Sequence, residues 1–174
     1  MSEQHQQYVL SEATAARFAR EVAKYPYEQR ASAVMACLAI VQQEQGHVSR
    51  ASEDVVAEYL GMPPIAVYEV TTFYNMYNQR PVGQFKLNVC TNLPCQLRDG
   101  KNALEHLCSK LGVEKGGTTA DGLFTVQESE CLGACADSPV MLVNDRQMCS
   151  FMSNERLDEL VEVLRANAHP AQKN

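Results

Sequence analysis

Two short stretches restrict this chain more than any others: Cys90-Thr91-Asn92-Leu93-Pro94-Cys95 and Cys131-Leu132-Gly133-Ala134-Cys135. One is a C-x4-C bend containing a proline; the other is a C-x3-C bend containing a glycine. A fold that brings the two together places four thiols in one spot. Four thiolates satisfy a two-iron, two-sulfide cluster, two sulfurs to each iron. A structural zinc site also takes four thiolates, although its pairs are most often C-x2-C. The thioredoxin-type C-x-x-C redox motif is absent. Spacing alone therefore leaves a cluster, a zinc site and redox thiols open. Disulfides are disfavoured, because seven cysteines is an odd count and MSEQHQQ lacks the basic start and apolar core of a secretory signal.

The residues around the pairs suit a negatively charged centre. Gly133 lets the backbone bend and approach a sulfur closely. Consecutive N–H groups in such a bend make an anion-binding concavity of the kind found at Fe–S sites. Pro94 stiffens the first bend by fixing its own φ.

From Ser11 to about Tyr77 the apolar pattern is helical. Ala15, Phe18, Ala19 and Val22 share one face, and Ala33, Val34, Cys37, Leu38 and Val41 form a second stripe ending near Gly46. Val55, Val56, Tyr59 and Leu60 make a third, stopped by Gly61. Pro64 then opens a fourth helix with Val67, Val70, Thr71 and Tyr74. The spacing predicts a small bundle over residues 11–80. Asn78 to Gly83 (NQRPVG) marks a boundary where helical period gives way to strand period.

The second domain, 84–166, reads β-α-β-β-β-α. Phe85, Leu87 and Val89 alternate with Lys86 and Asn88, predicting a half-buried strand that delivers Cys90 at its end. Leu104, Leu107, Cys108 and Leu111 form the inward face of a helix. Strands are expected over Leu123–Gln127, Val140–Val143 and Gln147–Phe151, with a tight turn at Asn144-Asp145. Ser153 should cap a last helix carrying Leu157, Leu160, Val161 and Leu164, with Glu155, Asp158 and Glu162 on its solvated face. Cys37 and Cys149 read as packing; Cys108 does too, and is the one credible substitute ligand. Pro139, beside the second bend, is expected to follow a trans bond. Residues 1 to about 10 read as a disordered lead-in, and AHPAQKN as a mobile tail.

Composition excludes several roles. A net charge of −6 argues against nucleic acid, and the longest apolar run, Ala33–Val41, is too short to cross a bilayer. His5, His47, His106 and His169 pair with no nucleophile. Gly112, Gly116 and Gly117 make no dinucleotide fingerprint, and there is no P-loop.

The cysteine pairs, together with Thr118-Thr119-Ala120-Asp121-Gly122-Leu123-Phe124-Thr125 between them and Glu130 before Cys131, resemble the thioredoxin-like [2Fe-2S] ferredoxins. More narrowly, they resemble the 24 kDa-type subunit family of NADH:quinone oxidoreductases (respiratory complex I). Val70-Thr71-Thr72-Phe73-Tyr74 and Arg80-Pro81-Val82-Gly83 agree, and the match runs from about Tyr25 to about Leu164. The resemblance implies an α+β chain, a helical bundle followed by a thioredoxin-like domain. It implies one [2Fe-2S] cluster on Cys90, Cys95, Cys131 and Cys135. It also implies a partner flavoprotein subunit holding FMN and NADH, gripped by the bundle within a larger respiratory complex. The same module serves NAD-reducing hydrogenases and NAD-dependent formate dehydrogenases; from another class, a zinc-stabilised interaction module stays as an alternative. The N-terminus lacks the Arg-rich character of a mitochondrial transit peptide. Either the protein is bacterial or a presequence has been removed; on the first reading the expected location is cytoplasmic, peripheral to the bacterial inner membrane through the complex.

Overall fold

The computed structural model describes residues 8–168, so the expectations for His5, His169 and the outermost residues at both ends lie outside the described residues. The chain divides into two compact units between Pro81 and Val82, inside the NQRPVG stretch.

The first unit is helical: α1 (Glu12–Val22), a 3-10 segment (Tyr27–Ala33), α2 (Val34–Gln45), α3 (Arg50–Leu60) and α4 (Pro64–Phe73). Ser11 and Ser49 cap α1 and α3, their hydroxyl oxygens accepting from the Thr14 and Ser52 N–H groups at 3.1 and 3.2 Å. Phe18, Cys37, Leu38, Val41, Val56, Leu60 and Val67 form the core. Truncating a residue such as Phe18, which has no exposed surface, costs about 3–5 kcal/mol. The α1 stripe differs from expectation, since Thr14 is buried and Ala19 is exposed. The reason is local, because Thr14 Oγ1 donates to the Glu44 carboxylate at 2.8 Å and so loses no hydrogen bond on burial. Tyr8 and Leu10 pack on this core, so the expected disordered lead-in does not extend to residue 10.

The second unit carries β1 (Phe85–Cys90), a one-turn helix α5 (Leu93–Gln96), α6 (Gly100–Leu111), β2 (Phe124–Ser129), β3 (Met141–Val143), β4 (Gln147–Cys149) and α7 (Asn154–Ala166). The sheet order is β2-β1-β3-β4. β1 and β2 run parallel, with Phe85 opposite Phe124 and Cys90 opposite Ser129; β3 and β4 continue antiparallel. Leu87, Val89, Phe124, Val126, Met141 and Val143 pack with Leu104 and Leu107 of α6 and Leu157 and Val161 of α7.

The structure corrects two expectations. β1 is not half-buried: Lys86 and Asn88 are 2% and 8% exposed. Both reach Asp145 in the β3–β4 turn, Lys86 Nζ to Oδ2 and Asn88 Nδ2 to Oδ1, each at 2.5 Å. A charge and an amide so partnered can be buried, which alternation alone does not reveal. The Ser138–Pro139 bond is cis, not trans; proline's small trans preference permits this.

Candidate metal centre

Parallel pairing sets the site. Because Cys90 and Ser129 end β1 and β2 in register, the first cysteine bend and the approach to the second leave the sheet at the same edge. Ligand sites commonly form at such carboxyl ends. Three hydrogen bonds then strap the bends together. Thr91 N–H donates to Ser129 O at 3.2 Å, Thr91 Oγ1 to Glu128 Oε1 at 2.6 Å, and Asn92 Nδ2 to Glu130 Oε2 at 2.9 Å. The Lys115 ammonium and the Thr91 hydroxyl hold the Glu128 carboxyl below its usual range.

Cys95 does not stay in a loop: it lies on α5, which Pro94 opens at its second position. Cys90 and Cys95 are each 1% exposed and pack against Val140, with Leu132 and Ala134 of the second bend alongside. Burial pushes the Cys90 thiol up, the backbone N–H groups of Asn92 and Leu132 act against that rise, and the neighbouring Cys95 thiol adds to it. Leu132 belongs to the second bend, so its packing against Cys90 and Cys95 joins the two.

Cys131 and Cys135 are exposed, with their sulfurs 3.5 Å apart. Donation of the Cys135 S–H to the Cys131 sulfur holds the Cys135 thiol up, followed by desolvation and by the charges of Cys131 and Cys95. Thiolates on one tetrahedral metal at about 2.3 Å stand roughly 3.8 Å apart, close to this separation. Among the described residues no three His, Cys, Asp or Glu side chains gather as a single-ion site; the thiols come as two pairs. Four thiols in two close pairs, one buried and one exposed, are a donor set that fits a two-iron cluster. Gly133 takes φ 80°, a conformation that only glycine adopts without strain. A Cβ there would meet open space, so the expected close approach to a sulfur is not seen.

Sequence reasoning missed two residues. A Cβ on Gly100 would lie 2.8 Å from the carbonyl oxygens of both Cys90 and Cys95, so α6 can start there only without a side chain. Ser138 is 2% exposed, with its hydroxyl oxygen 3.3 Å from Cys95 Sγ. A glycine opening a helix and a serine before a proline are the only local signals, and neither is specific.

The remaining candidates lie elsewhere. Cys37 is in the first-unit core, while Cys108 and Cys149 pack against the second. Cys108 borders a cavity of about 450 Å³ shared with Leu104, Lys115 and Glu128. His106 Nε2 lies 2.8 Å from Asp158 Oδ1, linking α6 to α7, and Lys110 approaches the same oxygen at 3.3 Å. Asp158 is thus engaged between helices and not simply solvated as expected.

The family model of thioredoxin-like [2Fe-2S] ferredoxins matches residues 18–165. An NADH-quinone oxidoreductase subunit of Rhizobium meliloti is 42% identical over 146 residues, 84% of this chain and 86% of that protein. NADH-quinone oxidoreductase subunit 2 of Thermus thermophilus is 40% identical over 144 residues, 83% and 80% of the two. Among solved structures, an NAD+-reducing [NiFe]-hydrogenase in the H2-reduced state shares the fold at TM-score 0.64 and 21% identity. That likeness covers 76% of this chain and 22% of the hydrogenase chain.

Proposed function

Because this chain belongs to the thioredoxin-like [2Fe-2S] ferredoxin family, we propose that Cys90, Cys95, Cys131 and Cys135 hold one [2Fe-2S] cluster in an electron-transfer subunit of an NADH:quinone oxidoreductase. Such a cluster, when bound, takes up and gives back one electron at a time. The observation that carries the ligand set is the packing of Leu132 and Ala134 of the second bend against the buried Cys90 and Cys95 of the first.

The chain's own residues do the rest. Cys90 and Cys95 supply a buried pair and Cys131 and Cys135 an exposed pair, so one side of the site faces outward toward an electron partner. N–H groups of Asn92 and Leu132 offset negative charge on the Cys90 sulfur. NADH yields a hydride, and a flavin stands between hydride and single-electron chemistry. The flavin belongs to a partner: a flavoprotein subunit carrying FMN and NADH. The homologues are subunits of multi-subunit oxidoreductases, which supports this assembly. The helical unit grips that partner, and α4 offers Ile65 and Phe73, 60% and 80% exposed, for the contact. Among the described residues no helix is long and apolar enough to cross a membrane. The chain sits on the cytoplasmic side of the bacterial inner membrane through its complex.

Absorption and EPR spectra with iron and sulfide analysis test the centre. Two irons and two sulfides per chain, with a signal on one-electron reduction, are expected; a colourless, EPR-silent protein containing zinc would sink the proposal. For the grip, Ile65→Ser with Phe73→Ser should impair co-purification with the flavoprotein while leaving the cluster spectrum intact. Unaltered assembly refutes that role.

A further inference from the structure

Between the two cysteine bends lies a hydroxyl that the ligand set does not use. Ser138 Oγ stands 3.3 Å from Cys95 Sγ, and it donates to the Cys135 carbonyl at 2.7 Å. It therefore touches one member of each pair, and with 2% exposure no water competes for it. We propose that Ser138 is a positioning residue that joins the two bends and would give its hydroxyl hydrogen to the Cys95 sulfur when that sulfur serves as a cluster ligand, raising the electron affinity of the centre.

The number of available hydrogens decides where the bond goes. A serine hydroxyl has one hydrogen and two lone pairs. Here the hydroxyl hydrogen goes to the Cys135 carbonyl at 2.7 Å. A cysteine sulfur bound to a metal has no hydrogen to give and would be an acceptor only. The single hydroxyl hydrogen then has two acceptors, and a charged acceptor forms the stronger bond. Rotation about the serine Cβ–Oγ bond redirects it with no backbone movement. The Cys135 carbonyl is not orphaned, because the Ser138 N–H also donates to it, at 3.4 Å. A hydrogen bond to a ligand sulfur stabilises the more negative, reduced state and so raises the potential.

This inference rests on the cluster reading above, and the experiment separates the two. Full-length wild type, Ser138→Ala, Ser138→Thr and Ser138→Gly are reconstituted and titrated anaerobically, with absorption and EPR as readouts. Absence of a cluster in the wild type would overturn the cluster reading itself. With a cluster present, Ser138→Ala and Ser138→Gly should each lose on the order of tenfold in electron affinity, which is 59 mV for one electron. Ser138→Thr, which keeps the hydroxyl, should return toward the wild-type potential. Less than a twofold change in both hydroxyl-less variants overturns the proposal. So does loss of the cluster from both, which would make Ser138 merely structural.

Discussion

The buried Lys86–Asp145 pair offers a test in which the direction is less obvious than the contact. Lys86 is 2% exposed, and its ammonium meets Asp145 Oδ2 at 2.5 Å, while Asn88 donates to the other carboxylate oxygen. Asp145 takes φ 56°, a backbone that Asn tolerates as well, so Asp145→Asn removes charge with little change of turn geometry. Breaking a buried pair from one side costs roughly 3–5 kcal/mol, because the remaining charge gives up its counter-charge in a poorly solvated place. The Asp145 side chain keeps 33% of its exposure. Water therefore already screens that end, and about 2 kcal/mol is the expected loss. For a unit of the size of Val82–Asn174, each kcal/mol lowers Tm by roughly 4–8 °C. Lys86→Met, which removes the charge and keeps an unbranched apolar stem, should fall within about 1 kcal/mol of wild type in either direction. The double variant should be more stable than Asp145→Asn alone, giving a coupling of about 1–3 kcal/mol. Urea and thermal unfolding of the full chain by far-UV circular dichroism, fitted for two units, supplies the numbers. A neutral Asp145→Asn beside a costly Lys86→Met would refute the reasoning, since the lysine would then be held by its stem and not by its charge.

Other perturbations probe the rest of the chain. Gly100→Ala should destabilise by about 1–3 kcal/mol and weaken iron retention, because its Cβ meets the Cys90 and Cys95 carbonyls at 2.8 Å; a stabilised variant, as helix propensity alone predicts, would contradict the close approach. Burial, with the Glu21 charge adding to it, pushes the Cys37 thiol up to about 12. Its folded value is thus raised, and between roughly pH 9 and 12 the unfolded chain releases this proton first, so stability falls as pH rises. Cys37→Ala should flatten that alkaline limb in pH-dependent urea titrations. The His106 hydrogen bond, then Lys110, holds the Asp158 carboxyl below its usual range. The stabilisation is therefore present above the unfolded carboxylate value, about 3.9, and lost as pH falls through the folded one. Asp158→Asn should make the acid limb shallower, and an unchanged slope would rule out that linkage.

How far the sequence reached depended on how local each cause is. Helix ends were legible because serine caps and terminal glycines act within a few residues: Ser49 caps α3, and Gly61 ends it as read. The short helix that carries Cys95 was not legible, since a single turn has no apolar period to detect. The same limit hid the 3-10 segment from Tyr27 to Ala33. Alternation along β1 correctly gave its inward face, Leu87 and Val89. It misplaced Lys86 and Asn88, whose partner lies in a turn more than fifty residues later.

By itself, the order of amino acids determined that four thiols stand in two close pairs, because their spacing is written along the chain. It also determined the switch from helical to strand period near NQRPVG, because periodicity is a property of neighbours. The fold alone decided what lies around those sulfurs. Strand register ends β1 at Cys90 beside the approach to the second bend, a missing side chain lets Gly100 come close to two cysteine carbonyls, and a turn sets Ser138 beside Cys95. Such contacts join residues far apart in sequence, and their energies exist only once the backbone has closed the distance.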